Sequence, residues 1–133
     1  MSFNLDGLAL KTESVFVQLR HPENDEKLWA DKDQKKPVGV HVYGTASKEY
    51  RAAVNAMQNR QLKRSGKPKA EVIREEGVEL LVAVSERAEN LEFQGKPITT
   101  PAQFRELYSD PRFSWVKDQI DAAVGDTAAF LAQ

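Results

Sequence analysis

Residues 38–64, V-G-V-H-V-Y-G-T-A-S-K-E-Y-R-A-A-V-N-A-M-Q-N-R-Q-L-K-R, contain a change of period that sets the fold class. Up to Gly44 the apolar residues Val38, Val40 and Val42 alternate with Gly39, His41 and Tyr43, the repeat of two that a half-buried strand requires. Beyond Gly44 the repeat becomes helical, with Tyr50, Ala53, Val54, Met57 and Gln61 or Leu62 on one stripe. Ser47 can accept from the first-turn amides, and Glu49 suits the positive N-terminal end of a helix. Arg60, Lys63 and Arg64 suit the negative end. Ser65 and Gly66 then stop the helix, and Pro68 pre-sets φ for the next one.

N-terminal to this stretch, Val15, Val17 and Leu19 alternate with Phe16, Gln18 and Arg20, which predicts a first strand and hence a hairpin. Its connection, residues 21–37, is long and polar, and is expected to be a mobile surface loop. Trp29 in that loop either folds back onto the sheet or anchors a partner. Residues 1–12 are interrupted by Ser2, Asn4, Asp6 and Gly7 and are expected to form a loosely held arm.

C-terminal to it, Val72, Ile73, Gly77, Leu80, Leu81, Val84 and Ala88 predict a helix from about Lys69 to Ala88. Gly77 costs about 1 kcal/mol relative to Ala in a helix interior, which a close backbone neighbour would justify. Gln94 and Gly95 signal a turn. Thr100, Pro101 and Gln103 then spell a capping box with a first-turn proline. Phe104, Leu107 and Tyr108 line a short helix ending near Asp110 and Pro111. Phe113, Val116, Ile120, Ala123, Val124, Thr127 and Phe130 or Leu131 predict a last helix from about Arg112. The expected architecture is one domain over residues 1–133, α+β and mostly helical, with a small N-terminal β-hairpin followed by about four helices.

The 133 residues match one domain of roughly 150 and are enough to enclose a core unaided. Hydrophobic residues at 41% and charged residues at 29% exclude a mainly disordered chain. Lys and Arg number 19 against 20 Asp and Glu, so no global charge draws the chain to nucleic acid or an anionic membrane. The absence of cysteine excludes disulfide scaffolds, zinc ribbons and thiol nucleophiles. No segment approaches the ~18 apolar residues of a membrane span, and the first ten residues lack a signal-peptide pattern, so a cytoplasmic protein is expected.

His21 and His41 have no H-x-x-x-H or carboxylate cluster beside them, and a solvent-facing His41 is expected. The scattered glycines form no phosphate-cradling loop. Asp110, Asp118, Asp121 and Asp126 lack the loop glycine of a calcium site and read as a solvated face. No enzyme activity, cofactor or metal is expected. The densest charge lies at Arg60, Lys63, Arg64, Lys67 and Lys69. A patch of that size can neutralise several phosphates, but no aromatic is interleaved for base stacking. It suits a helix end or an acidic protein partner better than nucleic acid, and a small nucleic-acid-binding regulator is the alternative. Phe113 and Trp115 lie two apart on a helix and point to different faces, so one of them can be exposed. Tyr108, Trp115 and Trp29 are the aromatic candidates for a partner surface.

In order, the chain offers V-G-V-H-V-Y-G at 38–44, S-K-E-Y-R-A-A at 47–53 and N-R-Q-L-K-R at 59–64. It continues with E-E-G-V-E-L-L-V-A at 75–83, E-F-Q-G-K-P at 92–97, L-Y-S-D-P-R-F-S-W-V-K-D-Q-I-D at 107–121 and D-T-A-A-F-L at 126–131. This series resembles the tail assembly chaperones of phages and prophages with long, non-contractile tails, over about residues 15–131. The resemblance implies a small helical protein that binds the tape measure protein and keeps it soluble until tail tube polymerisation. It also implies a longer, frameshifted product that recruits tail tube protein, and work in the host cytoplasm with absence from the mature virion. Many weak contacts along an extended client would favour several copies per client, and with them self-association.

Overall fold

The computed structural model describes residues 2–64 and 66–131. Alternating valines form its sheet: β1 (Val15–Gln18) pairs antiparallel with β2 (Gly39–Val42), with Val15 opposite Val42 and Val17 opposite Val40. Val40 and Val42 are fully buried, which places one sheet face on the core. Phe16 and His41 share the opposite face, their ring centroids 5.0 Å apart. The expected solvent-facing His41 is corrected here. Its side chain is 15% exposed, and Nε2 is buried without a hydrogen-bond partner, 3.7 Å from a Glu89 carboxylate oxygen.

The 21–37 connection is built of hydrogen-bonded turns. Leu19 N–H donates to Val38 O, Leu28 N–H to Leu19 O, and Val38 N–H to Leu28 O, a closed ring of three backbone bonds at 2.9–3.1 Å. Leu28 is thereby drawn back to the sheet end. The outer turn closes where the Asp31 carboxylate accepts from the Lys35 and Lys36 amides. Leu10 and Lys11 meet the C-terminal segment, where Lys11 N–H donates to Phe130 O and Leu10 bridges Leu131.

α1 (Lys48–Lys63) begins where Ser47 Oγ accepts from Tyr50 N–H. Gly66, at φ 81°, follows its end, while Ser65 lies outside the described residues. α1 buries no residue fully and packs on α2 (Ala70–Val84). The long helix expected to run to Ala88 stops four residues earlier. Residues 85–88 belong instead to β3 (Ser85–Glu89), which pairs with the second edge of β2 and makes the sheet three-stranded in the order β1-β2-β3. Val40 and Val42 are buried, and their strand's free backbone groups need partners on both edges; β3 supplies them. Gly77 has no close neighbour, since a Cβ there would meet nothing within 4 Å, so the expected backbone approach is absent.

A two-stranded ribbon follows, β4 (Glu92–Phe93) with β5 (Lys96–Pro97), turned by Gln94 and Gly95 at φ 57° and 77°. α3 (Pro101–Ser109) starts with the complete Thr100/Gln103 capping box. The single last helix resolves into three pieces: a 3-10 turn at Pro111–Phe113, α4 (Ser114–Val124), and a second 3-10 turn at Thr127–Phe130. Asp110 and Asp126, read as a solvated face, cap those two turns by accepting from the Arg112 and Ala128 amides.

α2, α3 and α4 pack on one another and α4 lies against β2, enclosing Leu81, Val84, Phe104, Leu107, Val116 and Ile120. Gln119 ties α4 to the sheet as a strand neighbour would: its amide oxygen accepts from Arg20 N–H and its NH₂ donates to Arg20 O, both at 2.8 Å. Among the described residues the fold is α+β with four α-helices, 48% helical when the 3-10 turns are included. Among the described residues no helix is long and apolar enough to cross a membrane.

Candidate functional site

The β4–β5 turn, the start of α4 and the returning Leu28 converge around an apolar crevice of about 160 Å³. Local chemistry fixes each wall. Asn90, at φ 55°, turns the chain out of β3 and its side-chain NH₂ donates to Pro37 O. Ile98 N–H donates to Leu91 O, holding the ribbon base. On the other side, the Asp110 cap and Pro111 shape the turn that delivers Phe113. Phe93 and Phe113 then meet edge to face, centroids 5.5 Å apart at 89°. Such a pair adds about 0.5–1.5 kcal/mol beyond its buried area and rigidifies the wall.

The floor is the buried pair Leu19 and Leu107, and Trp115 stands on the wall, half-buried. Phe113 and Trp115 both reach this crevice although they lie two apart. Phe113 belongs to the 3-10 turn and Trp115 to the first turn of α4, so one helical wheel does not describe them. Glu92 and Gln94 form the polar rim. A dry cavity of roughly 150 Å³ accommodates one benzene ring, so this crevice matches one aromatic or branched aliphatic side chain. Its physics is apolar recognition, with no converging acid, base or nucleophile. A wider depression of about 660 Å³ shares Leu91 and Glu92 with it, but its lining adds Lys36, Asn90 and Thr99 and is more polar than apolar, whereas the crevice is walled almost wholly by apolar side chains.

The other sequence-predicted residues lie elsewhere. Tyr108 is 3% exposed, so it is a core residue and offers no partner surface on this chain. Its hydroxyl shares a hydrogen bond with Ser85 Oγ, and burial pushes its pKa up to about 12. Trp29 is half-buried beside Pro37, one residue from the crevice-lining Leu28. Arg60 and Arg64 both turn onto Glu76 of α2: Arg60 donates from Nε and Nη2 at 3.0 and 2.6 Å, Arg64 from Nη2 at 3.1 Å. Those hydrogen bonds, Arg60 first, hold the Glu76 carboxyl below its usual value against the opposing pull of burial. Two cations of the basic patch therefore fasten α1 to α2. Lys63, Lys67 and Lys69 are exposed and take part in no ion pair among the described residues.

His21 and His41 have separate surroundings, since His21 Nδ1 accepts from Glu23 N–H within its own turn. Among the described residues no group of three His, Asp or Glu side chains is placed to hold a metal ion. Sequence reading missed Phe93, Leu28 and Leu91 as crevice residues. The available signal was the Gln94-Gly95 turn, which places a short aromatic-bearing ribbon against whatever follows Pro111. No protein-family model, curated protein or solved structure matches the chain.

Proposed function

We propose that this chain is a phage tail assembly chaperone, a non-enzymatic protein that binds the tape measure protein and keeps it soluble for tail tube polymerisation. The ordered sequence blocks from 38 to 131 support the reading, and the structural observation that carries it is the open apolar crevice walled by Phe93, Phe113 and Trp115. A pocket for one apolar side chain suits a client whose helix repeats such side chains along its length. Without a phosphate loop, holding works by mass action, because binding the aggregation-prone state lowers its free concentration. Weak single pockets are compensated when several copies occupy one client. The work is done in the host cytoplasm, the protein leaves before the virion matures, and a longer frameshifted product recruits tail tube protein.

Co-expression with the tape measure protein tests this. The client should precipitate alone and remain soluble with this chain, in a complex that survives size-exclusion chromatography after ATP removal. Equal insoluble fractions with and without the chain would end the reading. Lys63, Lys67 and Lys69, exposed and in no ion pair among the described residues, favour a second reading, a nucleic-acid-binding regulator. That protein would bind DNA with an affinity collapsing between low and moderate salt.

A further inference from the structure

α1 is held differently at its two ends. Its first turn is seated in the body of the protein: Ser47 is 0% exposed, its Oγ donates to Gly44 O at 2.7 Å and accepts from Tyr50 N–H, and Tyr50 packs against the core. Beyond Tyr50 no α1 residue reaches that core. Ala53, Val54 and Met57 are half-buried, every other residue from 51 to 63 is exposed, and α2 is the element on which the helix lies.

The far end is fastened by charge. No Asp or Glu lies between Tyr50 and Arg64, so that stretch has no ion pair of its own, and Arg60 and Arg64 reach across to the one carboxylate of Glu76. Glu76 is 9% exposed, so these bonds act partly out of water, where a charge-assisted hydrogen bond counts for more. Past the clamp, residues 66–69 are exposed, and Gly66, at φ 81°, has nothing within 4 Å of where a Cβ would stand. α2 has a second attachment. Val78, Leu81 and Val82 bury its other side in the core, whereas Val72 and Leu80, one turn either side of Glu76, are only half-buried. A helix of 16 residues is marginal in water once its packing is lost.

We propose that α1 is a lid on α2, latched by the bonds from Arg60 and Arg64 to Glu76. Residues 53–63 lift and unwind as one unit about the anchored Ser47–Tyr50 turn, while α2, α3, α4 and the sheet stay closed. The lifted state bares Val72, Glu76 and Leu80 at a lower free-energy cost than global unfolding. Glu76 returns to water as it loses its arginines, so opening leaves no unpaired charge buried. The lid belongs to the chain alone, and its test is independent of client binding.

Amide hydrogen exchange of the full chain, read residue by residue by NMR, tests it. The amides of residues 55–63 should share one protection level, at least about a hundredfold below that of the Leu81–Val84 and Ile120 amides yet well above an unprotected chain. Glu76→Gln should speed exchange of residues 55–63 roughly tenfold or more, because charged hydrogen bonds are lost. Arg60→Gln/Arg64→Gln, which leaves the Glu76 side of α2 intact, should do the same. In both variants the Leu81–Val84 amides should remain slower than those of α1. Equal protection of α1 and α2 in the wild type would show a single cooperative unit and overturn the lid, and so would α1 amides with no protection. A smooth decline toward Lys63, with residues 55–58 protected like α2, is ordinary end fraying and would overturn it too. Unaltered α1 exchange in either folded variant would overturn the latch.

Discussion

Ile120→Ala examines whether α4 closes the core over the sheet. Ile120 is 0% exposed, at the centre of the buried face that Val116 and Val124 share, and α4 lies against β2. The substitution removes three carbons, and at about 0.8 kcal/mol per buried methylene the transfer cost alone is ~2.4 kcal/mol. A cavity that relaxes incompletely adds to this, and buried Ile→Ala changes span about 2–5 kcal/mol. Gln119 clamps the adjacent position to the Arg20 backbone, so α4 cannot slide to fill the space, and the expected loss is about 3–4 kcal/mol. For a chain of this size that lowers Tm by roughly 10 °C. Urea denaturation followed by circular dichroism measures it, with an unchanged m-value showing that the denatured state is the same. Ile73→Ala, at a 60% exposed site, is the internal control and should stay within about 0.5 kcal/mol of wild type. A loss below about 1 kcal/mol at Ile120 would refute the packing described.

Gly77→Ala should stabilise the protein by about 0.4–1 kcal/mol, because the helix interior gains a better helix former and a Cβ there meets nothing within 4 Å; a fall in denaturation midpoint would contradict that open site. Stability should decline on acidification below about pH 4.5. Hydrogen bonds from Arg60 to Glu76, Arg105 to Glu79, Tyr43 to Glu86 and Arg112 to Asp110 each hold a carboxyl below its ordinary value in the folded chain. Such groups stabilise above the unfolded value and lose that contribution as pH falls through the folded one. Glu76→Gln should therefore be less stable at neutral pH and show a shallower acid limb in pH-dependent melting, and an identical limb would mean that the Arg60/Arg64 clamp contributes nothing. Deleting residues 2–8, all exposed, should change Tm negligibly, whereas deleting through residue 12 should lower it, because Lys11 N–H loses Phe130 O; equal effects would contradict the docking of Leu10 and Lys11.

Local signals were legible wherever one short stretch decides its own structure. The valine alternation, the Ser47 cap and the Thr100/Gln103 box all lie within a few residues of the geometry they specify. β3 was not legible, because Ser85, Glu86, Arg87 and Ala88 continue a helical stripe and carry no β-branched residue. Pairing with the open edge of β2 overrides that propensity, and the pairing is set by residues more than forty positions away. The last helix was overextended for the opposite reason, since Asp110 and Asp126 read as charge although their short carboxylates cap turns. At the crevice, Trp115 could be picked as an aromatic in need of a surface, but its partners Leu28 and Phe93 come from separate segments. The basic patch was visible as composition, while the internal use of Arg60 and Arg64 depends on Glu76 from the neighbouring helix.

Dilution of denatured tape measure protein into buffer, followed by light scattering, tests the holding activity most directly. With this chain present at a few copies per client and no nucleotide, scattering should stay near baseline and the client should elute in a soluble complex. Trp115→Ser, which opens the crevice wall, should weaken that protection while the chain's own melting stays cooperative. Scattering that rises at the same rate and to the same level with and without the chain would contradict the account.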